Sequence, residues 1–306
     1  MTLYYESGSK DFTLLQGDCL SLIDAIEEPI DMMFADPPYF LSNGGLSIQS
    51  GKIVSVDKGD WDVLVSDGEA NDFTYEWLGK AREKLSDKGT IWVSGTHHNI
   101  FTLGRALTEL GFKILNMVTW EKSNPPPNFS CRFFTHSTEF IIWARKDHDV
   151  SHYYNYALMK KLNGNRQMKD VWKLPAIAKW EKACGKHPTQ KPLPLLAQIV
   201  MASTKKGDLV VDPFSGSSTT GIASAVLGRR YIGIERENDF IQLAKDRHLQ
   251  LADPEVIKVF SGHFERLLNK NKDDCFVDFK EMVDSEVEVK IKAKAKARIK
   301  KEEVIE

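Results

Sequence analysis

The sequence predicts an α/β fold in which a doubly wound, mostly parallel sheet carries a smaller inserted segment and a charged C-terminal tail. Strand-like and helical stretches alternate from residue 12 to residue 251. A strand–helix–strand pattern follows residue 208, and the alternation fades between residues 146 and 186. Because parallel strands need helical crossovers, such alternation favours a sheet covered by helices on both faces.

Apolar runs and chain breakers place the elements in order. Strands are expected at 12–15, up to Asp36, and at 90–94, 113–120, 139–144, 208–212 and 231–235. Helices are expected from Leu20, with Asp18 as N-cap, and over 73–85, 100–110, 192–203, 222–227 and 239–251. Residues 40–62 are rich in Gly, Ser and Asp, which predicts a long polar loop that serves as a lid or contacts DNA.

Length and composition are those of a soluble globular protein. The chain has 306 residues, of which 42% are hydrophobic and 27% charged, and no apolar run approaches the ~20 residues of a membrane span. The N-terminus lacks a secretory signal, and the four cysteines lie far apart without metal-ligand spacing. We therefore expect a reduced, cytoplasmic setting, no membrane partner and no metal site.

The charge of the chain is unevenly distributed. A formal net charge of −2 argues against a nucleic-acid partner, but residues 120–191 hold thirteen Lys and Arg against six Asp and Glu. This stretch is compatible with a surface that faces phosphates, although an ordinary solvated face is the simpler explanation for scattered lysines.

The stretch Asp36-Pro37-Pro38-Tyr39 follows an apolar run that reads as a buried strand. Two prolines stop the strand and make the turn stiff, so that Asp36 is presented beside an aromatic ring. Asp36 and the Pro37 carbonyl can accept the two N–H groups of an exocyclic amine, while Tyr39 stacks on the base. The alternative is a simple strand-terminating turn.

A second motif begins at Asp212. Small residues follow this buried strand, a helix comes next, and Glu235 ends the following strand. In nucleotide-binding α/β folds such an acid binds ribose hydroxyls, and the absence of Gly-Lys-Ser/Thr disfavours a triphosphate loop. The alternative is a glycine-rich turn that serves packing alone.

Residues 185–192 precede a predicted helix that Thr189 is expected to cap. Lys191 places a cation near the helix start, where the dipole favours anions, so a bound carboxylate explains it better than helix stability does. His187 has no partner at metal spacing and is interpreted as a loop histidine held by its neighbours.

Two further segments are candidates for contact with nucleic acid. The proline-rich loop after Lys122 offers Arg132, and its Phe133 and Phe134 either contact bases or plug the core. Residues 146–186 mix aromatic, amide and basic side chains, which suit base-edge recognition. Residues 290–301 form a basic block, interpreted as a nucleic-acid arm or as a solvated tail.

The two motifs together resemble those of amino-methyltransferases that use S-adenosylmethionine. Their order, with the catalytic motif first and a recognition segment between, is similar to the β group of DNA methyltransferases. Residues 17–19, 119–125, 136–139 and 187–192 extend the resemblance across about residues 12–251. Residues 40–45, 54–62 and 152–156 resemble the GATC-specific adenine methylases of the DpnA type.

The resemblance implies a seven-stranded sheet, a catalytic domain at 1–255 with the recognition segment 146–186 inserted, and a charged extension at 256–306. It implies S-adenosylmethionine as cofactor and DNA as substrate, double-stranded or single-stranded, with adenine N6 in GATC as target. The implied catalytic residues are Asp36, Pro37, Pro38 and Tyr39. The implied cofactor-binding residues are Asp18, Thr189, Lys191, Asp212, Phe214, Gly216, Ser218 and Glu235. The implied DNA-binding residues are Asn43, Lys122, Asn128, Arg132, Arg166 and Lys169.

One departure and several alternatives stand beside this prediction. Ser218 occupies the position of the family's second glycine. If φ is positive there, serine costs about 1–2 kcal/mol and weakens cofactor binding; the alternative is that Ser218 simply opens the following helix. The alternatives are a GANTC-type adenine methylase, a cytosine-N4 methylase, an RNA or protein-amide methylase, and a DNA-binding relative with a decayed site. A homodimer and a cognate restriction nuclease are partners that the resemblance makes conceivable but that the residues do not specify.

Overall fold

The computed structural model describes residues 2–40, 46–49, 52–55, 66–125, 127–128 and 131–260. The strands are β1 (Thr2–Glu6), β2 (Phe12–Gln16), β3 (Ile30–Ala35), β4 (Leu46–Gln49), β5 (Lys52–Ser55), β6 (Leu85–Gly95), β7 (Lys113–Lys122), β8 (Thr138–Arg145), β9 (Val171–Leu174), β10 (Leu209–Asp212) and β11 (Arg230–Glu235). The helices are α1 (Cys19–Asp24), α2 (Asp67–Lys84), α3 (Ile100–Glu109), α4 (Tyr156–Leu162), α5 (Leu193–Ser203), α6 (Thr219–Val226) and α7 (Asn238–Gln250).

Within the described residues the main sheet has nine strands, in the order β1-β2-β11-β10-β3-β6-β8-β7-β9. Strands β2, β11, β10, β3 and β6 are parallel, and β8 runs antiparallel to both of its neighbours. The mostly parallel α/β class is confirmed, whereas the number of seven strands was wrong. The two additional strands lie at the edges of the sheet: β1 pairs antiparallel with β2, and β9 pairs parallel with β7.

Helices cover both faces of this sheet, as the alternation of elements predicts. One core cluster joins the sheet to α1, α2 and α3 through residues such as Leu22, Trp77 and Leu103. The other joins it to α5, α6 and α7 through Leu196, Ile222 and similar residues. Each buried strand supplies both clusters because successive side chains point to opposite faces.

Most predicted elements lie within two residues of the observed ones, but two predictions need correction. The polar loop predicted at 40–62 contains the hairpin β4–β5, whose two strands pair antiparallel. Thr189 does not cap α5, because Pro192 occupies the N-cap position and the Leu193 N–H donates to Oε2 of Glu181 at 2.7 Å. The predicted N-cap Asp18 is confirmed, since its carboxylate accepts from the Ser21 N–H.

Part of the segment 146–186 belongs to the main body of the fold. Met159 of α4 and Trp172 of β9 are buried in the same core cluster as α5. The domain boundary near 255 stays a prediction, and the basic block at 290–301 lies outside the described residues. No helix in the described part of the chain has the length and apolar character needed to span a bilayer.

The topology brings four chain segments to one edge of the sheet. Strands β2, β11, β10 and β3 are adjacent and parallel, so their carboxyl ends lie side by side. The residues at or just after those ends are Gly17, Asp36, Pro213 and Glu235. In open α/β sheets this edge is where ligands bind.

Candidate active site

A cavity of about 370 Å³ opens at this edge of the sheet. Its walls come from the turn after β2, the Pro-Pro turn after β3, residues 187–191, and the segment that joins β10 to α6. Both sequence motifs therefore face one cavity. The predicted site residues that line it are Asp18, Asp36, Pro38, Thr189, Lys191, Asp212, Phe214, Gly216 and Glu235.

The Asp36 carboxylate is held on both of its oxygens. The Tyr39 hydroxyl donates to Oδ1 at 2.7 Å and also lies 3.4 Å from the Ser94 Oγ. Burial, followed by the nearby Asp36 charge, raises the pKa of Tyr39 well above its ordinary value, so the phenol stays protonated. Tyr39 thus orients Asp36 through a hydrogen bond, a contact that the stacking role expected from the sequence did not include.

The second Asp36 oxygen receives a cation. Lys191 Nζ lies 2.5 Å from Oδ2 and 3.5 Å from Oε2 of Glu139. Burial acts to lower the pKa of Lys191, but the Asp36 carboxylate and other negative neighbours overcome it and raise that pKa well above the ordinary value. The sequence suggested a carboxylate partner for this lysine, and in the structure the carboxylate belongs to the protein itself.

The turn after β10 is fixed by two acids. Asp212 accepts from the Phe214 N–H at 3.1 Å and from the Thr220 hydroxyl at 2.6 Å. Glu235 accepts from the Gly216 N–H at 2.7 Å through Oε2. Burial raises the pKa of Asp212 to about 7 and also raises that of Glu235. Each carboxylate oxygen has a further lone pair, so Glu235 can still accept from ligand hydroxyls.

Ser218 has the left-handed backbone that its glycine-like position suggested. Its φ is 57° and it stands at the N-cap of α6 without a side-chain cap bond. The hydroxyl instead donates to the Tyr231 hydroxyl at 3.0 Å, and the Ser218 N–H donates to the Ser215 carbonyl at 2.7 Å. Backbone strain and helix start, which the sequence presented as alternatives, therefore occur together.

His187 covers the same turn. A Cβ added to Gly216, whose φ is +50°, would lie 3.0 Å from Nε2 of His187, so only glycine fits there without displacement. The His187 ring packs edge-on against Phe240 at 4.2 Å and receives the Thr189 N–H at Nδ1. Burial lowers the pKa of His187 to about 4, which keeps the imidazole neutral. The sequence reading of a loop histidine held by neighbours agrees with these contacts.

An aromatic wall, formed by Phe40, Phe73 and Phe214, lines one side of the cavity. Phe73 of α2 lies 5.9 Å from Phe40 and 6.1 Å from Phe214, and Phe214 packs edge-on against Trp77 at 5.3 Å. Of these residues, sequence reasoning found only Phe214. The sequence predicts Phe73 only as the first residue of a helix over 73–85, and the helical spacing of apolar residues contains no signal that distinguishes a cavity wall from a core.

The predicted DNA-binding residues do not form one group. Lys122 Nζ lies 2.5 Å from Oε1 of Glu139, and Asn128 donates to the Phe133 carbonyl. Arg132, Arg166 and Lys169 are exposed, and Asn43 lies outside the described residues. Phe133 and Phe134 are also exposed, at 58% and 94%, which contradicts the alternative that they plug the core.

The cavity suits a cofactor that contains a nucleoside. The aromatic wall offers apolar faces for a base, Glu235 offers acceptors for ribose hydroxyls, and Gly216 contributes to the lining. Among the described residues, no group of three or more His, Cys, Asp or Glu is arranged to hold a metal ion.

Comparison with known sequences shows similarity to DNA methyltransferases over most of the chain. A family model described as DNA methylase, of the N6/N4 type, matches residues 30–246. The chain is 54% identical to the Type II methyltransferase M2.MboI of Moraxella bovis over 268 residues, which cover 87% of this chain and 96% of that protein. It is 53% identical to the Type II methyltransferase M2.DpnII of Streptococcus pneumoniae over 249 residues, 81% of this chain and 92% of that one.

Solved structures agree on the fold. The M1.HpyAVI–SAM complex is similar with a TM-score of 0.60 and 26% identity, covering 78% of this chain and 98% of that chain. PvuII DNA methyltransferase, a cytosine-N4-specific enzyme, has a TM-score of 0.65 at 19% identity, covering 88% and 96% respectively. At that identity the second likeness concerns the fold alone.

Proposed function

This chain belongs to the N6/N4 family of DNA methylases, and from that premise we propose that it transfers a methyl group from S-adenosylmethionine to N6 of adenine in DNA, at the sequence GATC. The observation that carries the proposal is the single cavity lined by both Asp36 and the Phe214–Gly216 turn. A site for an amine acceptor and a site for a nucleoside cofactor thus meet at one edge of the sheet.

S-adenosylmethionine supplies, when bound, an electrophilic methyl group on a sulfonium centre. Phe73 and Phe214 would pack on its adenine, and Glu235 would accept from the ribose hydroxyls. Thr189, which also lines the cavity, would meet the carboxylate, because the ammonium of Lys191 is already paired with Asp36. Asp18 and Asp212 would act mainly by holding α1 and the Phe214 turn in place.

Asp36 and the Pro37 carbonyl would hold the target amine. Both are acceptors, so they favour an exocyclic N–H₂ group and turn its lone pair toward the methyl donor. The adenine would leave the duplex at a cost of a few kcal/mol and pack on Pro38 and Tyr39. The N6–C bond would form as the methyl–sulfonium bond breaks, which would leave a neutral thioether, and the methylated amine would then lose one proton to solvent. Positioning and electrostatics by the residues around the amine would supply most of the rate.

The experiment is methylation of plasmid DNA that lacks GATC methylation. Incubation with S-adenosylmethionine is expected to protect it from a nuclease blocked by N6-methyladenine in GATC, and to make it sensitive to one that requires that mark. Nucleoside mass spectrometry then distinguishes N6-methyladenine from N4-methylcytosine. Methylated cytosine would indicate a cytosine-N4 methylase, protection at GANTC a GANTC-type adenine methylase, and methyl transfer to RNA only an RNA methylase. Binding of DNA with no methyl transfer would indicate a DNA-binding relative with a decayed site.

Partners and location complete the proposal. We propose that the chain acts on double-stranded DNA, that it also accepts single strands, and that it works in the cytoplasm. A restriction nuclease for the same sequence and a second copy of the chain are the protein partners that we propose. Competition between the two DNA forms and light scattering of the purified chain test the substrate form and the dimer.

A further inference from the structure

Four charged side chains of alternating sign form a row behind the Pro-Pro turn: Lys122, Glu139, Lys191 and Asp36, here called the charge row. Lys122 Nζ lies 2.5 Å from Oε1 of Glu139, and Lys191 Nζ lies 3.5 Å from Oε2 of the same carboxylate. Lys191 then reaches Oδ2 of Asp36 at 2.5 Å. Two cations and two carboxylates give the row a net charge of zero.

The charge row is largely shielded from water. The exposed side-chain fractions are 8% for Lys191, 14% for Asp36, 15% for Glu139 and 21% for Lys122. Solvent therefore screens these charges weakly, and the removal of one leaves an uncompensated charge close to the cavity.

Regular structure fixes the far half of the charge row. Glu139 lies in β8 opposite Trp120 of β7, and Lys122 ends β7, where its N–H donates to the Ser137 carbonyl at 2.8 Å. A strand register thus sets the position of Glu139 relative to Lys122, whereas Lys191 lies in the segment that enters α5. Groups that support a reacting residue from strands hold it more accurately than groups on loops.

The two central groups of the charge row, Glu139 and Lys191, are charged at neutral pH. Burial acts to raise the pKa of Glu139, but Lys191 and Lys122 overcome it and lower that pKa below the ordinary value. Lys191 stays an ammonium for the reason given above. The row is therefore a set of ion pairs and not a chain of neutral hydrogen bonds.

The reaction makes the net charge of this row important. During methyl transfer, positive charge moves onto the target amine, which Asp36 is proposed to hold. A carboxylate there stabilises that charge, whereas the adjacent Lys191 ammonium opposes it. The benefit of Asp36 therefore depends on what neutralises Lys191 from its other side.

We propose that Glu139 is a positioning residue for methyl transfer, which neutralises Lys191 and so preserves both the place of Asp36 and its negative potential toward the target amine, while Lys122 balances Glu139. This inference rests on the proposed function. It assigns to Lys122 a role within the charge row in place of the DNA contact expected from the sequence.

The test compares Glu139→Gln with the double variant Glu139→Gln/Lys122→Gln. The single variant leaves the row with a charge of +1, so kcat should fall on the order of 10- to 100-fold. KM for DNA and the cofactor Kd from calorimetry should stay within about twofold, since Glu139 touches neither ligand. The double variant restores neutrality, and its kcat should exceed that of the single variant by roughly fivefold or more.

The outcomes are decisive in both directions. A double variant no faster than Glu139→Gln indicates a purely structural role and overturns the proposal, as does a single variant with wild-type kcat. If Glu139→Gln does not fold, Glu139→Asp keeps the negative charge and should keep most of the wild-type kcat, so loss of methyl transfer in the folded Glu139→Asp variant overturns the proposal. An inactive wild-type chain would instead refute the proposed function first, and this inference with it.

Discussion

The Lys191 ammonium lies 2.5 Å from the Asp36 carboxylate, although 155 positions separate the two residues in the chain. The contact joins the turn after β3 to the segment that enters α5. Both segments line the cavity, so the acceptor proposed for the target amine is oriented before any ligand binds. A carboxylate held in this way loses little conformational freedom when substrate arrives.

Replacement of Asp36 tests this acceptor directly. Asp36→Ala removes a carboxylate that no neighbouring side chain can replace on the Pro-Pro turn, so kcat should fall by roughly 1,000-fold or more. The cofactor Kd should stay within about threefold, because the aromatic wall and Glu235 are unchanged. Incorporation of tritiated methyl groups and calorimetry measure the two effects.

The control for that variant is Asp87→Ala. Asp87 is an exposed acid within β6 and lies outside the cavity lining, so its loss should leave both quantities unchanged. Full methyl transfer by Asp36→Ala would defeat the assignment of Asp36 to the target amine.

Local sequence was sufficient to predict the two turns that face each other. Asp36 and Gly216 each follow a buried strand in a run of consecutive residues, and the strand–helix alternation orders those strands in one parallel sheet. Because parallel strands share a carboxyl edge, the cavity follows from topology once both turns are identified. The position of Lys191 near the start of a helix, where the helix dipole favours anions, also indicated that a carboxylate lies next to it.

Contacts between distant segments could not be predicted in this way. In the sequence Glu139 is an ordinary strand residue; the register of β7 and β8 sets it near Lys122, and the segment before α5 brings Lys191 to its other oxygen. The partner of Lys191 was assigned to a ligand because no pattern in one sequence reports that Asp36 is within reach. Strand β9 was missed because its four residues lie in a stretch without clear period.

The strain at Ser218 should appear in a pair of variants. Ser218→Ala and Ser218→Gly both lose the hydroxyl that bonds Tyr231, but only glycine accepts a φ of 57° without a Cβ penalty. The glycine variant should therefore be more stable than the alanine variant by about 1 kcal/mol in denaturant unfolding. Equal stabilities would show that the backbone relaxes at this position.

Gly221 should not tolerate a larger side chain. A Cβ there would clash with Oγ of Ser218 and would lie 2.5 Å from the Tyr231 ring. Gly221→Ala should lower the free energy of unfolding by about 1–3 kcal/mol and weaken cofactor binding through the adjacent turn. Gly79→Ala is the matched control, because a Cβ at this α2 position meets no atom within 4 Å, and it should be neutral or stabilising.

His187 should make the protein sensitive to mild acid. Burial, with Lys191 and Arg247 nearby, lowers the His187 pKa from 6.5 to about 4, although Asp36 acts to raise it. Between these pH values the His187 imidazole binds a proton in the unfolded state but not in the folded state. The contribution of neutral His187 to the free energy of unfolding is therefore present above pH 6.5 and is lost as the pH falls toward 4.

The measurement compares wild type with His187→Gln in urea at pH 7 and pH 5. The loss of unfolding free energy on acidification should be larger in wild type by about 2 kcal/mol. Contributions from Asp212, whose raised pKa acts in the opposite direction, are present in both proteins and cancel in this comparison. An identical loss in the two proteins would mean that His187 is not buried in its neutral form.

Phe73 should contribute to cofactor affinity and not to the chemical step. Its ring lines the cavity beside Phe214. The group proposed to hold the target amine is Asp36, on the Pro-Pro turn. Phe73→Ala removes an aromatic face that a bound adenine would cover, so the cofactor Kd should rise roughly tenfold. At saturating cofactor, kcat should stay within about twofold. Phe101→Ala removes the same ring from α3, where it is 81% exposed, and should change neither value. An unchanged Kd in Phe73→Ala would place the adenine elsewhere in the cavity.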